Sequence, residues 1–283
     1  MMKKSLLAAS ALALAVSAGS ALAADLPSKK AAPLLPPPPP PALWTGFYVG
    51  LNAGYTWDES SSVTVASGSL APFNPIVGIA GSGVLGTSVD GFIGGGQIGY
   101  NYQFSNVFVA GIEADIQGVA GSNSGVSSVA AFGPLTSTIS ASKSIDYLGT
   151  VRGRLGYLVT PSLLVYGTGG LAYGQANLSS SVFQAVGGLV GTSSSAFSDT
   201  RVGWTAGGGV EWLFLPKWSA KVEYLYYDLG TVSTSGVIGF TGIAAPVATT
   251  ATSARFNGHV VRAGVNYHFN LFSPAAAPVV AKY

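Results

Sequence analysis

The dominant pattern along the chain is an alternation of apolar with polar or small residues, the period of a β-strand whose two faces differ. At the start of the first segment, Phe47 and Val49 share one parity while Gly50 and Asn52 hold the other. Segments with this period are 11 to 15 residues long, which suits strands tilted across a bilayer. We predict eight such strands, at 47–57, 91–104, 107–118, 145–159, 162–175, 201–213, 218–230 and 255–269.

The connections between these strands alternate between long and short without exception. Turns of two, two and four residues separate long connections at 58–90, 119–144, 176–200 and 231–254. Barrels of outer membranes have this arrangement because tight turns lie on the periplasmic side and long loops on the outside. The pattern predicts an all-β fold, an eight-stranded antiparallel transmembrane β-barrel, with four extracellular loops and both mature termini in the periplasm.

The first 43 residues have the features of export and tethering segments. An apolar stretch at 5–16 follows a basic start, and Ala21–Ala23 provides a small-residue cleavage pattern. Six consecutive prolines, Pro36–Pro41, favour an extended spacer. The predicted organisation is a cleaved signal peptide at 1–23, a Pro-rich periplasmic linker at 24–43, the barrel at 44–269 and a C-terminal tail at 270–283.

Composition removes several classes of function. With 13 Lys and Arg against 11 Asp and Glu in 283 residues, the chain lacks the basic surface that nucleic-acid binding requires. It contains no cysteine, which excludes disulfides and thiolate metal sites. The glycine motif at 81–86 lies in a predicted loop without a βαβ unit, so it does not indicate dinucleotide binding. We expect no cofactor and no metal.

The charges of the predicted strands share one parity within each strand, and the opposite parity is mostly apolar or aromatic. Asp146 has the parity of Arg152 and Arg154, and Arg201 has that of Glu211. A lysine or arginine on the lipid face at mid-bilayer costs about 2–4 kcal/mol, so the charged parity must face inward. Isolated charges are costly there too, so we expect ion pairs that fill the interior. The predicted interior charges are Glu113, Asp115, Arg152, Arg154, Glu211, Lys221, Glu223 and Arg262.

Aromatic residues concentrate near the predicted strand ends. Such residues form girdles at the two membrane–water interfaces of outer-membrane barrels. Trp204 and Trp212 share the lipid-facing parity and would lie roughly 20 Å apart along the membrane normal, at ~3.3 Å per residue and ~40° tilt. The predicted girdle residues are Phe47, Tyr55, Trp57, Trp204, Trp212, Tyr224, Tyr267 and Phe269.

Signals for catalysis are sparse. His268 has inward parity at the periplasmic end of the last strand and is interpreted as a solvated rim residue. His259 and Asp228 lie near the outer ends of neighbouring strands, and with Ser235 or Ser253 they could form a hydrolase site on the barrel lip. Both His259 and Asp228 carry the lipid-facing parity, which points them away from a pocket. We therefore predict polar rim residues and no catalytic site.

Four segments carry a family resemblance: 24–27 (ADLP), 44–55 (WTGFYVGLNAGY), 95–103 (GGQIGYNYQ) and 261–269 (VRAGVNYHF). With the proline-rich spacer, they resemble alphaproteobacterial outer-membrane β-barrel surface antigens. The resemblance implies an eight-stranded OmpA-type barrel, a surface-exposed immunogenic protein and the broad "porin family" label. Members commonly end at the last strand's aromatic residue, which the assembly machinery recognises. Here 270–283 follows Phe269, so that signal is either internal or replaced by Tyr283.

Together these features predict a structural outer-membrane protein that contributes to envelope integrity and displays four extracellular loops. An eight-stranded barrel is just narrow enough for side chains to fill it, which disfavours the alternative of a small-solute porin. A lipid-modifying or proteolytic enzyme of the outer membrane is a further alternative. The expected partners are outer-membrane lipid, lipopolysaccharide and, through the last strand, the barrel-assembly machinery.

Overall fold

The computed structural model describes residues 43–105, 107–121 and 124–269, without the side chain of Ser124. The predicted signal peptide, the predicted tail and nearly all of the predicted linker lie outside these residues. Within them, no helix has the length and hydrophobicity that a membrane crossing requires. The elements are β1 (Gly46–Asp58), β2 (Ser62–Ser69), α1 (Ile76–Ala80), β3 (Gly83–Gly86), β4 (Gly91–Phe104), β5 (Phe108–Ala120), β6 (Ser124–Phe132), β7 (Leu135–Thr160), β8 (Leu163–Val186), β9 (Leu189–Leu215), β10 (Trp218–Phe240) and β11 (Ala248–Phe269).

Eight of these strands close into a barrel. They pair antiparallel in the order β1, β4, β5, β7, β8, β9, β10, β11, and β11 pairs back onto β1. The closing ladder runs from Phe47 opposite Phe269 to Asp58 opposite Gly258. A closed ring has no unpaired backbone edge, which is the condition for a sheet in hydrocarbon. The predicted all-β barrel is confirmed; its ring contains eight strands, and β2, β3 and β6 lie outside the ring.

The short predicted turns lie at one end of the barrel, which we name the turn end. They join β4 to β5, β7 to β8 and β9 to β10. At the opposite end the prediction of long loops is wrong for 119–144, 176–200 and 231–254, because most of their residues are in strands, whereas 58–90 contains the short strands β2 and β3 and the helix α1. β7 already begins at Leu135, β8 continues to Val186 and β11 begins at Ala248. Serine and glycine gave these segments the composition of loops, but threonine and alternate valines fit a pleated strand.

The extended strands form a β-sandwich beyond the barrel, so we name this end the sandwich end. One sheet contains β6 and the parts of β7, β8 and β9 that extend beyond the barrel. The other sheet contains β3, β2 and the parts of β11 and β10 that extend beyond the barrel. The sheets separate because β9–β10 pairing stops at Trp204 opposite Asp228 and resumes at Thr192 opposite Gly239. Their inner faces share one apolar core, which includes Val63, Val65, Leu85, Ile139, Leu178, Val182, Ile238, Phe240 and Phe256.

Two β-bulges mark the junction between barrel and sandwich. The register of β7 against β8 shifts between Ile145 and Leu148, and that of β10 against β11 shifts between Asp228 and Thr231. Gly230, inside the second bulge, has a φ of +83°, which glycine adopts without steric cost. A bulge changes which parity faces inward. On β7 the buried positions are even-numbered in the barrel and odd-numbered in the sandwich.

The closing ladder generates a prediction about the end of the chain. A chain truncated after Phe269 keeps every residue of the β1–β11 ladder, so we expect it to fold and insert. A full-length Phe269→Ala chain should insert poorly, because the last strand loses its interfacial aromatic residue. Heat-modifiability on semi-native gels measures folding, and Phe214→Ala, an aromatic deletion at the end of β9, is the control. If the truncated chain fails while Phe269→Ala folds, the assembly signal lies at Tyr283.

Candidate functional site

The candidate site is the barrel interior, where the structure places all eight charged side chains that were predicted to face inward. Each of these residues is between 0 and 5% exposed. Strand alternation accounts for their burial, because their chain neighbours Ile112 and Val222 are 65 and 60% exposed on the outer face. The eight are Glu113 and Asp115 on β5, Arg152 and Arg154 on β7, Glu211 on β9, Lys221 and Glu223 on β10, and Arg262 on β11.

Two arginines connect the acidic side chains. The guanidinium of Arg152 lies 2.5 Å from Glu113 Oε1, 3.0 Å from Asp115 Oδ2 and 2.8 Å from Glu223 Oε1. Arg262 lies 2.8 Å from Asp115 Oδ2 and 2.6 Å from Glu223 Oε2. Buried ions need such partners, because leaving water costs several kcal/mol per ion. These contacts join β7 and β11 to strands on both sides of the interior.

Lys221 and Glu113 connect opposite walls of the barrel. The Lys221 Nζ lies 2.8 Å from Glu113 Oε1. In the ring of eight strands β5 is third and β10 is seventh, so the two strands face each other across the full diameter. Because Arg152 and Arg262 flank this contact with their own ion pairs, side chains occupy the lumen at this level.

Arg154 joins a second group of side chains to the first. It donates to Glu211 Oε2 at 2.6 Å and to the Tyr48 hydroxyl at 3.0 Å, and it lies 3.6 Å from Glu113 Oε2. Its guanidinium also packs over the Tyr166 ring, 4.2 Å from the centroid. Tyr48 in turn donates to Glu113 Oε2 at 2.6 Å. All of the interior charges therefore belong to one network.

Neutral side chains complete this network, and sequence reasoning missed them. Asn266 donates to Glu211 Oε1 at 2.7 Å and accepts a hydrogen bond from Gln97. Gln97 also accepts a hydrogen bond from Asn52 at 3.1 Å. The sequence does contain a signal for two of them, because Asn52 and Asn266 have the inward-facing parity of β1 and β11. The sequence analysis considered only charged residues at inward-facing positions and therefore did not identify them.

The turn end is closed by an apolar group around Trp44. Trp44 is fully buried, packs with Leu158 and Leu164, and donates its indole N–H to the Pro161 carbonyl at 3.0 Å. The His268 ring meets the Trp44 ring edge-on, 5.9 Å between centroids. The interpretation of His268 as a solvated rim residue is wrong: it is 2% exposed, because Trp44 covers this end of the lumen.

A further buried ion pair lies at the base of the sandwich, beyond Trp57. Lys143 Nζ lies 2.7 Å from Asp58 Oδ2 and donates to the Ser60 carbonyl at 3.0 Å. Burial raises the pKa of the Asp58 carboxyl and lowers the pKa of the Lys143 ammonium, and their mutual attraction opposes both shifts. The sequence did not indicate this pair, because Lys143 fell in a segment predicted as a loop.

The outer surface of the barrel is apolar between two aromatic levels. Leu51, Ile112 and Leu171 are 74, 65 and 58% exposed there. An exposed apolar band between aromatic rings is the pattern of a bilayer-facing wall. Of the predicted girdle residues, those at the sandwich end are Tyr55, Trp57, Trp204 and Tyr224, all exposed, and those at the turn end are Phe47 and Trp212, exposed, with Tyr267 and Phe269, half-buried.

Three charges outside the network depart from the predicted parity. Asp146 is exposed and accepts a hydrogen bond from Asn177, because it lies in the β7 bulge. Arg201 is half-buried, with Nη2 3.5 Å from the Thr231 carbonyl, where β9 and β10 are not paired. Asp228 was predicted to face lipid but is 6% exposed, because the β10 bulge begins at this residue.

The hydrolase site considered from the sequence is not assembled. His259 Nδ1 lies 2.7 Å from the Tyr224 hydroxyl, and its ring stacks on Trp57. Asp228 instead pairs with Arg255 and accepts a hydrogen bond from the backbone N–H of Gly230. In the described part of the chain, no hydrogen bond joins His259 to Asp228 or to a serine, and no group of three or more His, Asp or Glu could hold a metal.

Comparisons with known proteins agree with this architecture. The family model described as outer membrane protein beta-barrel domain matches residues 8–269. The chain is 36% identical over 260 residues to the 31 kDa outer-membrane immunogenic protein of Brucella melitensis biotype 1, covering 90% of this chain and 96% of that protein. It is 28% identical over 273 residues to the 25 kDa outer-membrane immunogenic protein of Brucella abortus biovar 1, covering 94 and 98%. These matches confirm the family resemblance of the sequence.

Among solved structures, the chain is similar to the outer membrane protein OprG from Pseudomonas aeruginosa. The alignment covers 80% of this chain and 97% of that one, at 9% identity and a TM-score of 0.37.

The network predicts a large cost for removing one of its carboxylates. Glu223→Gln keeps the side-chain volume but removes one of the two carboxylate charges that Arg152 and Arg262 share most closely, leaving them Asp115, so we expect a loss of ~3–5 kcal/mol in unfolding free energy if water is excluded. Guanidinium unfolding in detergent measures the change. Asp199→Asn, which alters an exposed carboxylate on β9, should change stability by less than about 0.5 kcal/mol. Equal effects of the two variants would contradict a buried, dry network.

Proposed function

The chain belongs to the outer membrane protein beta-barrel domain family, and we propose that it is a sealed barrel that anchors a rigid β-sandwich at the cell surface. The protein is located in the outer membrane of Gram-negative bacteria. In this proposal the barrel contributes to envelope integrity. The sandwich provides a surface for interaction in place of four separate loops.

The observation that carries the proposal is the ion pair between Lys221 and Glu113 on opposite walls. An aqueous pore needs a continuous path along the axis, and this pair crosses it. Two further layers lie in series with the ion pairs: the apolar group around Trp44 at the turn end and the sandwich core at the other end. Three layers of different chemistry make a seal that does not depend on any single contact.

A non-catalytic role is part of the same proposal. The ionised groups of the lumen are held in mutual ion pairs, which leaves them poorly suited to act as acid or base toward a substrate. His259 packs among aromatic rings on the outer wall, where a lipid-facing surface surrounds it. The two Brucella relatives are named as outer-membrane immunogenic proteins, which supports this role.

The partners proposed for the barrel follow from its outer wall and its last strand. The apolar band fits the acyl chains of outer-membrane lipid and lipopolysaccharide, and the aromatic levels fit their headgroup regions. β11 closes the ring and carries Phe269 at its end, which makes it the proposed contact for the barrel-assembly machinery.

The sealed barrel predicts an absence of channel activity. Purified protein reconstituted into planar lipid bilayers should add no stable single-channel conductance at neutral pH. Trp44→Ala should also be silent, because it removes the turn-end layer but leaves the ion pairs and the sandwich core in place. A general-diffusion porin purified in the same detergent is the positive control. Large, stable openings of the wild-type protein would support the small-solute porin instead.

The orientation of the sandwich can be tested separately. An epitope inserted between Gly187 and Gly188, in the β8–β9 turn at the sandwich tip, should be labelled by antibody on intact cells. The same epitope inserted between Thr160 and Pro161, at the turn end, should be labelled only after permeabilisation. The reverse labelling pattern would place the sandwich in the periplasm.

A further inference from the structure

The outermost strand of one sandwich sheet, β6, has an open edge. β6 pairs with β7 along its whole length, from Ser124 opposite Lys143 to Phe132 opposite Leu135. On the other side of β6, the described part of the chain provides no strand that pairs with it. Alternate backbone N–H and C=O groups of β6 therefore point away from the sheet, as they do on any strand at a sheet edge.

The other edges of the sandwich are shorter or closed. β3, the outermost strand of the second sheet, has only four residues, Gly83–Gly86. β9 and β10 are unpaired with each other over one stretch, but pairing closes that stretch at both ends, at Trp204 with Asp228 and at Thr192 with Gly239. Among the described strands of the sandwich, β6 thus offers the longest open edge, with nine residues.

β6 lacks the features that protect edge strands in other proteins. Its sequence, SGVSSVAAF, contains no charged residue and no proline, and its pairing with β7 has no bulge. Natural sheets use such features to prevent association between edges. β6 is also accessible, since none of residues 125–132 is buried and Val129 is 71% exposed. An open, uncharged and accessible edge is a surface to which another strand can add.

The membrane restricts how two copies of the chain can use this edge. When the same edge of two identical strands forms a regular pair, the strands are antiparallel, because the two-fold axis between them is perpendicular to the sheet. β6 runs from the junction with the barrel, where Ser124 lies opposite Lys143, to the tip of the sandwich at Phe132. Two copies in one membrane hold β6 in the same direction along the membrane normal, so only copies in facing membranes can form this pair.

We propose that β6 pairs antiparallel with β6 of a second copy in a facing membrane, so that the protein links neighbouring cells. This inference rests on the proposed function for the position of the sandwich outside the cell. Full overlap of the nine residues places Ser128 opposite Ser128 of the second copy, and Gly125 opposite Ala131. One strand pair of this length is weak, but many copies between two membranes bind together by multivalency.

The absence of cysteine allows a direct test by disulfide cross-linking. Ser128→Cys introduces one thiol at the two-fold axis, so oxidation of the full chain in detergent should give a covalent dimer. Ala131→Cys is the control, because three residues on each side of the axis separate its two thiols by about 20 Å. Ala131→Cys should therefore stay monomeric alone and form a dimer only when it is mixed with Gly125→Cys.

Clustering of vesicles tests the pairing between facing membranes. Phosphatidylcholine vesicles that contain the wild-type chain should cluster and raise the turbidity, because a fraction of the inserted molecules has the sandwich outside. A Ser127→Lys/Val129→Lys variant places like charges opposite each other in the pair, so its turbidity should stay at the level of protein-free vesicles. Ser181→Lys/Phe183→Lys is the matched control: it adds both charges in the same two cross-strand rows, on β8, which is paired on both sides, and should cluster as the wild type does.

Several results would overturn the inference. They are a dimer of Ala131→Cys alone, no dimer of Ser128→Cys, wild-type vesicles that do not cluster, and equal clustering by the edge variant and the wild type. Neither experiment depends on the orientation of the protein in cells, which the epitopes in the two turns test. Reversed epitope labelling would refute the proposed function and with it the linking of cells. Expected labelling without cross-linking or clustering would refute the strand pairing alone.

Discussion

The fold depends on one constraint: strands that cross hydrocarbon must keep every ionised side chain on the inner wall. Eight strands enclose a lumen that side chains can fill, so the inward charges meet each other and not bulk water. Four anions and four cations on five strands satisfy one another, with Tyr48 and Asn266 supplying the hydrogen bonds that charges alone cannot. Not every hydrogen-bond donor of the network has a partner, since Arg154 Nε and Arg262 Nη1 are buried without a hydrogen-bond acceptor. The number of strands sets the width of the lumen, and the charge-balanced network fills it.

Beyond the membrane-facing band, the inner and outer faces of the same strands exchange their polarity. In the barrel, apolar side chains face out and charges face in; in the sandwich, the inner face is apolar and the outer face carries hydroxyls. The sandwich segments 60–89, 121–142, 178–198 and 232–254 contain no Asp, Glu, Lys or Arg. Water replaces lipid outside, so hydroxyl groups suffice there, and the interior becomes an ordinary apolar core. On β7 and β10 a bulge lies at this junction, and the set of alternate residues that faces the interior switches there.

Sequence reasoning succeeded where the alternation is strong and unbroken. The barrel strands follow from it, and the structure places the eight predicted interior charges in the lumen. It failed at Asp146 and Asp228, because a bulge shifts parity by one residue and leaves no clear sign in the sequence. It also failed for the sandwich, whose serine and glycine content resembles that of loops although Val63, Val65, Ile139 and Ala141 alternate. Lys143 was not predicted as a buried charge, because it lies in a segment that was predicted as a loop. Its pairing with Asp58 also depends on a contact between strands that are distant in sequence.

The sandwich combines a packed core with an outer surface that tolerates substitution. Its two sheets are held by the buried core and by hydroxyl pairs between them, Ser180 with Thr252 and Ser193 with Thr250. Outward positions such as Val129 and Phe183 contribute little to that core, because they are 71 and 47% exposed. Substitutions there change the displayed surface at small cost to stability. The barrel interior tolerates little substitution, because each interior charge is paired with others. In the proposed role, the displayed surface can therefore change on the sandwich without disturbing the ion pairs of the lumen.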